Sequence, residues 1–228
     1  MAMNNDLSII TLNVNGLNAP IKRHRIPEWI RKHDPHICCL QETHLRRKDI
    51  YWLKEKGWRK IFQANVQEKK AGVAILTSDK LNFKTRAIKR DPEGHFIILS
   101  GIIHQEDINI INIYAHNIRA PKYMRKTLED YKKYIDRSTL TLGNFNTSLW
   151  KMNRSSKQNI NKDIVTLNNV LDQMNLNDTY RAFHPKEANH KFFSNAHRMF
   201  SKIDHMIGHK TSLNKFKKIE ILSSIFSE

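Results

Sequence analysis

Several short apolar runs in this chain stop on a side chain that can hold a cation or a phosphate. Leu7-Ser-Ile-Ile-Thr-Leu-Asn-Val-Asn15 delivers Asn13 and Asn15 beside Gly16, and His36-Ile-Cys-Cys-Leu-Gln-Glu42 ends on a carboxylate followed by Thr43 and His44. Ile108-Asn-Ile-Ile-Asn-Ile-Tyr114 and Leu140-Thr-Leu-Gly-Asn-Phe-Asn146 finish in the same way, and Ser201-Lys-Ile-Asp-His205 puts Asp204 in a basic neighbourhood. β-Branched and apolar runs of this length read as strands, and a run with no alternation reads as a strand buried on both faces. Taken singly, an Asn after a strand is a turn residue and a lone Glu a cap or surface charge. Together they gather polar groups on one rim of a sandwich, some of them able to bind a hard divalent cation.

The elements that must carry these ends are legible from periodicity. Ile26, Trp29 and Ile30 repeat at helical spacing, as do Met124, Leu128, Tyr131 and Ile135, and again Ile164, Leu167, Leu171 and Met174. Short strands are expected at 61–64, 72–77 and 95–102, between the first two helices. Strands interleaved with helices imply an α/β or α+β sandwich. At 228 residues, with no Pro/Gly/Ser-rich linker, repeat or low-complexity tract, the chain is expected to form one domain over 1–228.

Composition points to a polyanionic partner. Lys and Arg number 39 against 22 Asp and Glu, a formal net charge of +17, which suits phosphate backbones through counterion release. The basic groups at Lys22 to Arg25, Arg46 to Lys48, Lys69 to Lys70, Lys122 to Lys126 and Lys215 to Lys218 are interleaved with core segments. Each of them alone reads as a solvated face. No amphipathic basic helix stands apart, so no membrane partner is expected. The only cysteines, Cys38 and Cys39, are adjacent, make no disulfide framework and fit a reducing compartment. The N-terminus has no signal-peptide pattern and no apolar run is long enough to span a bilayer, so an intracellular protein, nuclear or cytoplasmic, is expected.

The chain resembles the endonuclease/exonuclease/phosphatase superfamily, and within it the endonuclease domain of LINE-type retrotransposons. The segments that carry the resemblance are Leu12-Asn-Val-Asn-Gly-Leu-Asn18, Lys22-Arg-His-Arg25, Cys38-Cys-Leu-Gln-Glu-Thr-His44, Lys56-Gly-Trp-Arg-Lys60, Lys69-Lys-Ala-Gly-Val-Ala-Ile75, Asn112-Ile-Tyr-Ala115, Gly143-Asn-Phe-Asn146, Phe192-Phe-Ser194 and Ser201-Lys-Ile-Asp-His205. The resemblance implies a four-layer α/β sandwich and Mg²⁺-dependent hydrolysis of a DNA phosphodiester, with Mn²⁺ as the alternative cation. By position, Glu42 matches the metal-binding carboxylate, and Asn13 and Asn146 match amides that orient metal or phosphate. Tyr114 matches a tyrosine on the scissile phosphate, and Asp204 the carboxylate that orients a catalytic histidine. Ser194-Asn-Ala-His-Arg-Met-Phe-Ser201 matches a hairpin that enters the DNA minor groove, where His197 and Arg198 would read its width and potential. Arg154 and Lys191 are further candidate DNA contacts, and RNA is an alternative ligand.

Departures from the family pattern alter the expected activity. Asn144 stands where the family has the aspartate that holds or activates water, and an amide cannot take a proton at neutral pH. His116 replaces a proline, and Lys191 a small hydroxyl residue. Residues Ile221 to Ser227 read as the approach to the family's closing Ser-Asp-His motif, and the sequence ends at Glu228. On that reading the domain lacks its last strand and its catalytic histidine, leaving an apolar edge and poor solubility. His205 and His209 have helical spacing but fall where the family runs a strand. Loss of one acid or base costs roughly 10² to 10⁴ in rate, so an impaired or inactive monomeric nuclease that still binds nucleic acid is expected. The alternative is an active metal-dependent endonuclease, exonuclease or apurinic-site nuclease of the same superfamily.

Overall fold

A computed structural model describes residues 6–65, 71–149, 162–185, 192–194, 199–201 and 204–222. The chain divides into two compact units, Met1–Asp107 with Leu222–Glu228, and Ile108–Ile221.

The first unit opens with strand β1 (Ile9–Asn13), helix α1 (Pro20–His33) and strand β2 (Ile37–Gln41), a crossover that leaves β1 and β2 parallel. Pro20 supplies the preset backbone angle of a first turn, and Arg31, Lys32 and His33 complement the dipole of the last. The helix stops at Asp34, whose left-handed φ of 44° lets its N–H close on Ile30 O at 2.8 Å. Strands β3 (Lys60–Ala64) and β4 (Val73–Thr77) complete a sheet ordered β1-β2-β4-β3. Every residue of β2 and β4 is buried, which is why both are continuous apolar runs. Ile26 and Ile30 of α1 pack with Val14, Leu17, Cys38, Leu40, Leu45, Trp58 and Leu76 in one core cluster. Strands β5 (Lys84–Arg90) and β6 (Phe96–Ile103) pair antiparallel, with an irregularity between Thr85 and Ala87. The basic, largely exposed β5 was absent from the sequence expectation, because its burial gives no period to detect.

Most of β7 (Glu106–Tyr114) belongs to the second unit, where α2 (Ala120–Asp130) crosses over to the parallel strand β8 (Thr139–Asn144). Helix α2 buries Met124 and Leu128 as the stripe predicts but ends at Asp130. Tyr131 and Ile135 therefore flank a single 3₁₀ turn, Lys132–Tyr134, rather than extending the helix. Helix α3 (Lys162–Gln173) packs its buried Ile164, Leu167, Val170 and Leu171 beside α2. Then come β9 (Leu176–Asp178), the short α4 (Thr179–Phe183), the paired strands β10 (Phe192–Ser194) and β11 (Met199–Ser201), and β12 (Asp204–His209). Within this unit the strands run β7-β8-β12-β9. His205 and His209 lie in β12, a strand as the family comparison implies.

Candidate active site

In the first unit, the exits of β1 and β2 are laced together by their backbones. Val14 N donates to Gln41 O at 3.0 Å, Gly16 N to Glu42 O at 2.7 Å and Leu17 N to Thr43 O at 2.9 Å. Both exits bend through left-handed conformations, with φ of 45° at Asn15, 78° at Gly16 and 53° at both Glu42 and His44. Gly16 is obligatory here, since a Cβ would stand 2.8 Å from His44 Nδ1.

These bends bring the predicted side chains together. Asn13 Nδ2 donates to Glu42 Oε1 at 2.6 Å, while Asn13 Oδ1 accepts from Asn15 N at 2.9 Å. With both ends engaged, the Asn13 amide is fixed and in turn fixes the carboxylate. The other carboxylate oxygen, Glu42 Oε2, faces His44 Nε2 at 3.9 Å. Burial holds the His44 imidazole below its usual pKa; Glu42 works against that shift and Lys22 adds to it.

Within the basic group at Lys22 to Arg25, Lys22 and Arg23 are more than a solvated face, while His24 is exposed. Lys22 Nζ donates to Val14 O and Asn15 O, and Arg23 donates to Leu17 O and Asn18 O while lying 4.2 Å over the Trp52 ring. The loop carbonyls after β1 have no strand partner, and these two cations satisfy them. His44 and Lys22 are the residues that sequence reasoning underused. The signal for His44 was its place two residues beyond a strand-end carboxylate.

In the second unit, three predicted residues form one rung of the sheet. Tyr114 pairs with Asn144 across the parallel β7–β8 ladder, and Asn144 with Asp204 across the antiparallel β8–β12 ladder. Directly opposed residues share a face, so the phenol, amide and carboxylate stand side by side. Asn144 is only 3% exposed and Tyr114 7%. Gly143 makes the rung possible, because a Cβ there would stand 2.0 Å from Ile113 O. Beyond β8 the chain turns through Asn146 (φ 45°), whose N–H donates to Asn144 Oδ1 at 3.0 Å and whose side-chain amide donates to Ala115 O at 2.7 Å.

His205, next to Asp204, points to the opposite face and is fully buried. Its Nδ1 lies 2.7 Å from Asp178 Oδ2 and its Nε2 2.9 Å from Thr147 O, both within hydrogen-bonding range, and the ring packs 5.3 Å from Phe145. It therefore ties down the turn that carries Asn146. Arg154, Lys191, His197 and Arg198 lie outside the described residues.

Among the described residues no three His, Cys, Asp or Glu side chains converge on one point. A hard divalent cation such as Mg²⁺ does not require such a cluster, since it is commonly held by one or two carboxylates with water completing its shell. Glu42, oriented through one oxygen by Asn13 and with the other 3.9 Å from His44 Nε2, is the carboxylate here that could hold one.

A mixed α/β protein with two principal sheets, and with polar side chains gathered at strand ends, defines the class. The chain belongs to the Endonuclease/Exonuclease/phosphatase family, whose model matches residues 10–217. A DNA-(apurinic or apyrimidinic site) endonuclease from Dictyostelium discoideum is 27% identical over 213 residues, covering 83% of this chain and 57% of that protein. The transposon TX1 uncharacterized 149 kDa protein of Xenopus laevis is 25% identical over 186 residues, covering 79% of this chain and 14% of that protein. The chain thus spans about half or less of these relatives' lengths. In fold it is similar to the crystal structure of AP endonuclease LMAP from Leishmania major, with a TM-score of 0.74, 14% identity, and coverage of 91% of this chain and 80% of that one. Among the described residues no helix is long and apolar enough to cross a membrane.

Proposed function

We propose that this chain is a DNA endonuclease domain of LINE-retrotransposon type whose phosphodiester hydrolysis is impaired and whose nucleic-acid binding is retained. The carrying observation is Asn144, an amide in the middle of the Tyr114–Asn144–Asp204 rung where the family has an aspartate. Its Oδ1 already accepts the Asn146 N–H, and its NH₂ can only donate. The residue can therefore hold a water or a phosphate oxygen but cannot take the proton that hydrolysis releases.

The remaining parts keep their roles. Glu42, held by Asn13, is the metal-binding carboxylate; Tyr114 donates to the phosphate, and Asn146 and Asp204 orient the groups around it. Mg²⁺, or Mn²⁺, bound at Glu42 would supply positive charge against the negative charge that grows on the phosphate. The net charge of +17 supplies sequence-independent attraction to DNA, or to RNA. The likeness to a transposon protein supports an origin in a transposable element; a nuclear or cytoplasmic monomer is the form expected to act.

A second reading, an active apurinic-site nuclease, is favoured by the similarity to the Dictyostelium discoideum enzyme. Nicking of supercoiled plasmid and of duplex with one abasic site, in Mg²⁺, separates the two. Under the first reading the protein binds DNA in a salt-sensitive way and nicks neither, and Asn144→Asp raises nicking by roughly 10²- to 10⁴-fold. Metal-dependent cleavage by the unaltered chain, abolished in Glu42→Ala, overturns the impairment and installs the second reading.

A further inference from the structure

The turn after β2 holds two half-buried groups whose polar atoms stand close together. Glu42 has one oxygen on Asn13, and its Oε2 lies 3.9 Å from His44 Nε2, beyond hydrogen-bonding range. No hydrogen bond to another described residue engages either atom. Both residues sit in left-handed conformations (φ 53°) that a side chain adopts only under constraint, and His44 is wedged against Gly16, where no Cβ would fit. The surrounding backbone is pinned by His44 N to Ala71 O and Thr43 N to Gly72 O, and Lys22 clamps the facing loop.

We propose that Glu42 and His44 together form a divalent-cation site of mixed oxygen–nitrogen character, which takes a first-row transition cation, even the hard Mn²⁺, in preference to Mg²⁺. The proposal rests on the metal-binding role of Glu42 and adds the imidazole as a second ligand. Bonds of about 2.0–2.2 Å to a carboxylate oxygen and to an imidazole nitrogen, as at zinc sites, reach across the observed gap from one point between them. Affinity for a nitrogen–oxygen site rises along the first-row series from Mn²⁺ upward, so an imidazole adds something to Mn²⁺ and more to the later cations, whereas Mg²⁺ takes oxygen and water and is held by the carboxylate alone. His44 would then set which cation the site prefers, while Glu42 provides the attraction common to all of them.

Binding of Mn²⁺ and of Mg²⁺ is measured separately on the full chain, Mn²⁺ by loss of the free-ion paramagnetic resonance signal and Mg²⁺ by competition. Thermal melts of each variant confirm folding. Wild type binds Mn²⁺ at least about 10-fold more tightly than Mg²⁺. His44→Gln and His44→Phe both weaken Mn²⁺ by about 10- to 100-fold, the range seen when a metal site loses a supporting partner, and leave Mg²⁺ unchanged. Glu42→Gln weakens both cations. If the folded His44 variants keep wild-type Mn²⁺ affinity while Glu42→Gln loses it, His44 is no ligand and the role of Glu42 stands. If Glu42→Gln changes neither affinity, the metal-binding reading of Glu42 falls, and this inference with it.

Discussion

Replacing His205 with alanine tests whether the buried His205–Asp178 pair anchors the rung and turn around Asn144. Both side chains are completely inaccessible, and the histidine bridges Asp178 on β9 to the carbonyl of Thr147, the residue after Asn146. Alanine removes both hydrogen bonds and the packing against Phe145, and leaves a buried carboxylate that still accepts the Arg181 N–H at 3.1 Å. Removing one member of a buried ion pair costs about 3–5 kcal/mol. For a chain of this length each kcal/mol moves Tm by about 2–4 °C, so a fall of about 6–20 °C is expected.

Asp178→Ala should cost as much again for the pair, plus about 1 kcal/mol for the lost N-cap of α4. The double variant should then lose less than the two singles combined, by about 0.5–3 kcal/mol, because the second removal no longer strands a charge. Urea titrations followed by circular dichroism give all three values. A His205→Ala protein within about 1 kcal/mol of wild type, or strict additivity in the double variant, refutes the idea that this pair holds the turn.

Two further outcomes follow from groups outside the rung. Burial pushes the Cys38 thiol up to about 12 and Cys39 well above its ordinary value, so neither is a thiolate at pH 8. A maleimide should leave native protein unlabelled and add to both cysteines in denaturant; rapid native labelling would contradict the burial of β2. Asp136 caps the turn before β8: burial alone would raise its carboxyl, but the Ser138 hydroxyl and N–H and the Thr139 hydroxyl hold it below the usual range. A folded value below the unfolded one, near 3.9, gives stability that is present above about pH 4 and lost as pH falls through the folded value. Asp136→Ala should therefore be less stable than wild type at pH 7, with the difference shrinking toward pH 3. A difference that stays constant across that range would show that the carboxylate's charge is irrelevant.

What could be read from the sequence divides along physical lines. β2 and β4 were legible because burial on both faces leaves only apolar residues, and α3 because its stripe faces one core. β5 was not, since an exposed strand carrying Lys84, Arg86, Lys89 and Arg90 resembles any solvated segment, although such charges are what keep an exposed strand from pairing with another chain. The four-residue spacing of His205 and His209 fits a helix face and a strand face equally, so periodicity alone could not assign it. Glu42, Tyr114, Asn144 and Asp204 were found at strand ends through the family pattern, and pairing registers then put the last three in one row. No pattern of residue types could show that Lys22 and Arg23 serve loop carbonyls, because that follows from how the chain bends after β1.

Those bends explain why the candidate residues sit where they do. Asn15, Glu42, His44 and Asn146 all adopt positive φ, a conformation that costs a non-glycine residue of order 1–3 kcal/mol and persists only where surroundings impose it. In the first unit the imposition comes from Gly16 N on Glu42 O and from Ala71 O on His44 N; in the second, from Asn144 Oδ1 and Ala115 O on the two amides of Asn146. Glycine would relieve the strain at any of these positions but would remove the side chain that the bend displays. A bend held in this way carries its polar side chain past the last residue of the ladder. There it can meet a ligand without surrendering a backbone hydrogen bond, and the polar residues just past β1 and β2 in the first unit, and past β8 in the second, are the result.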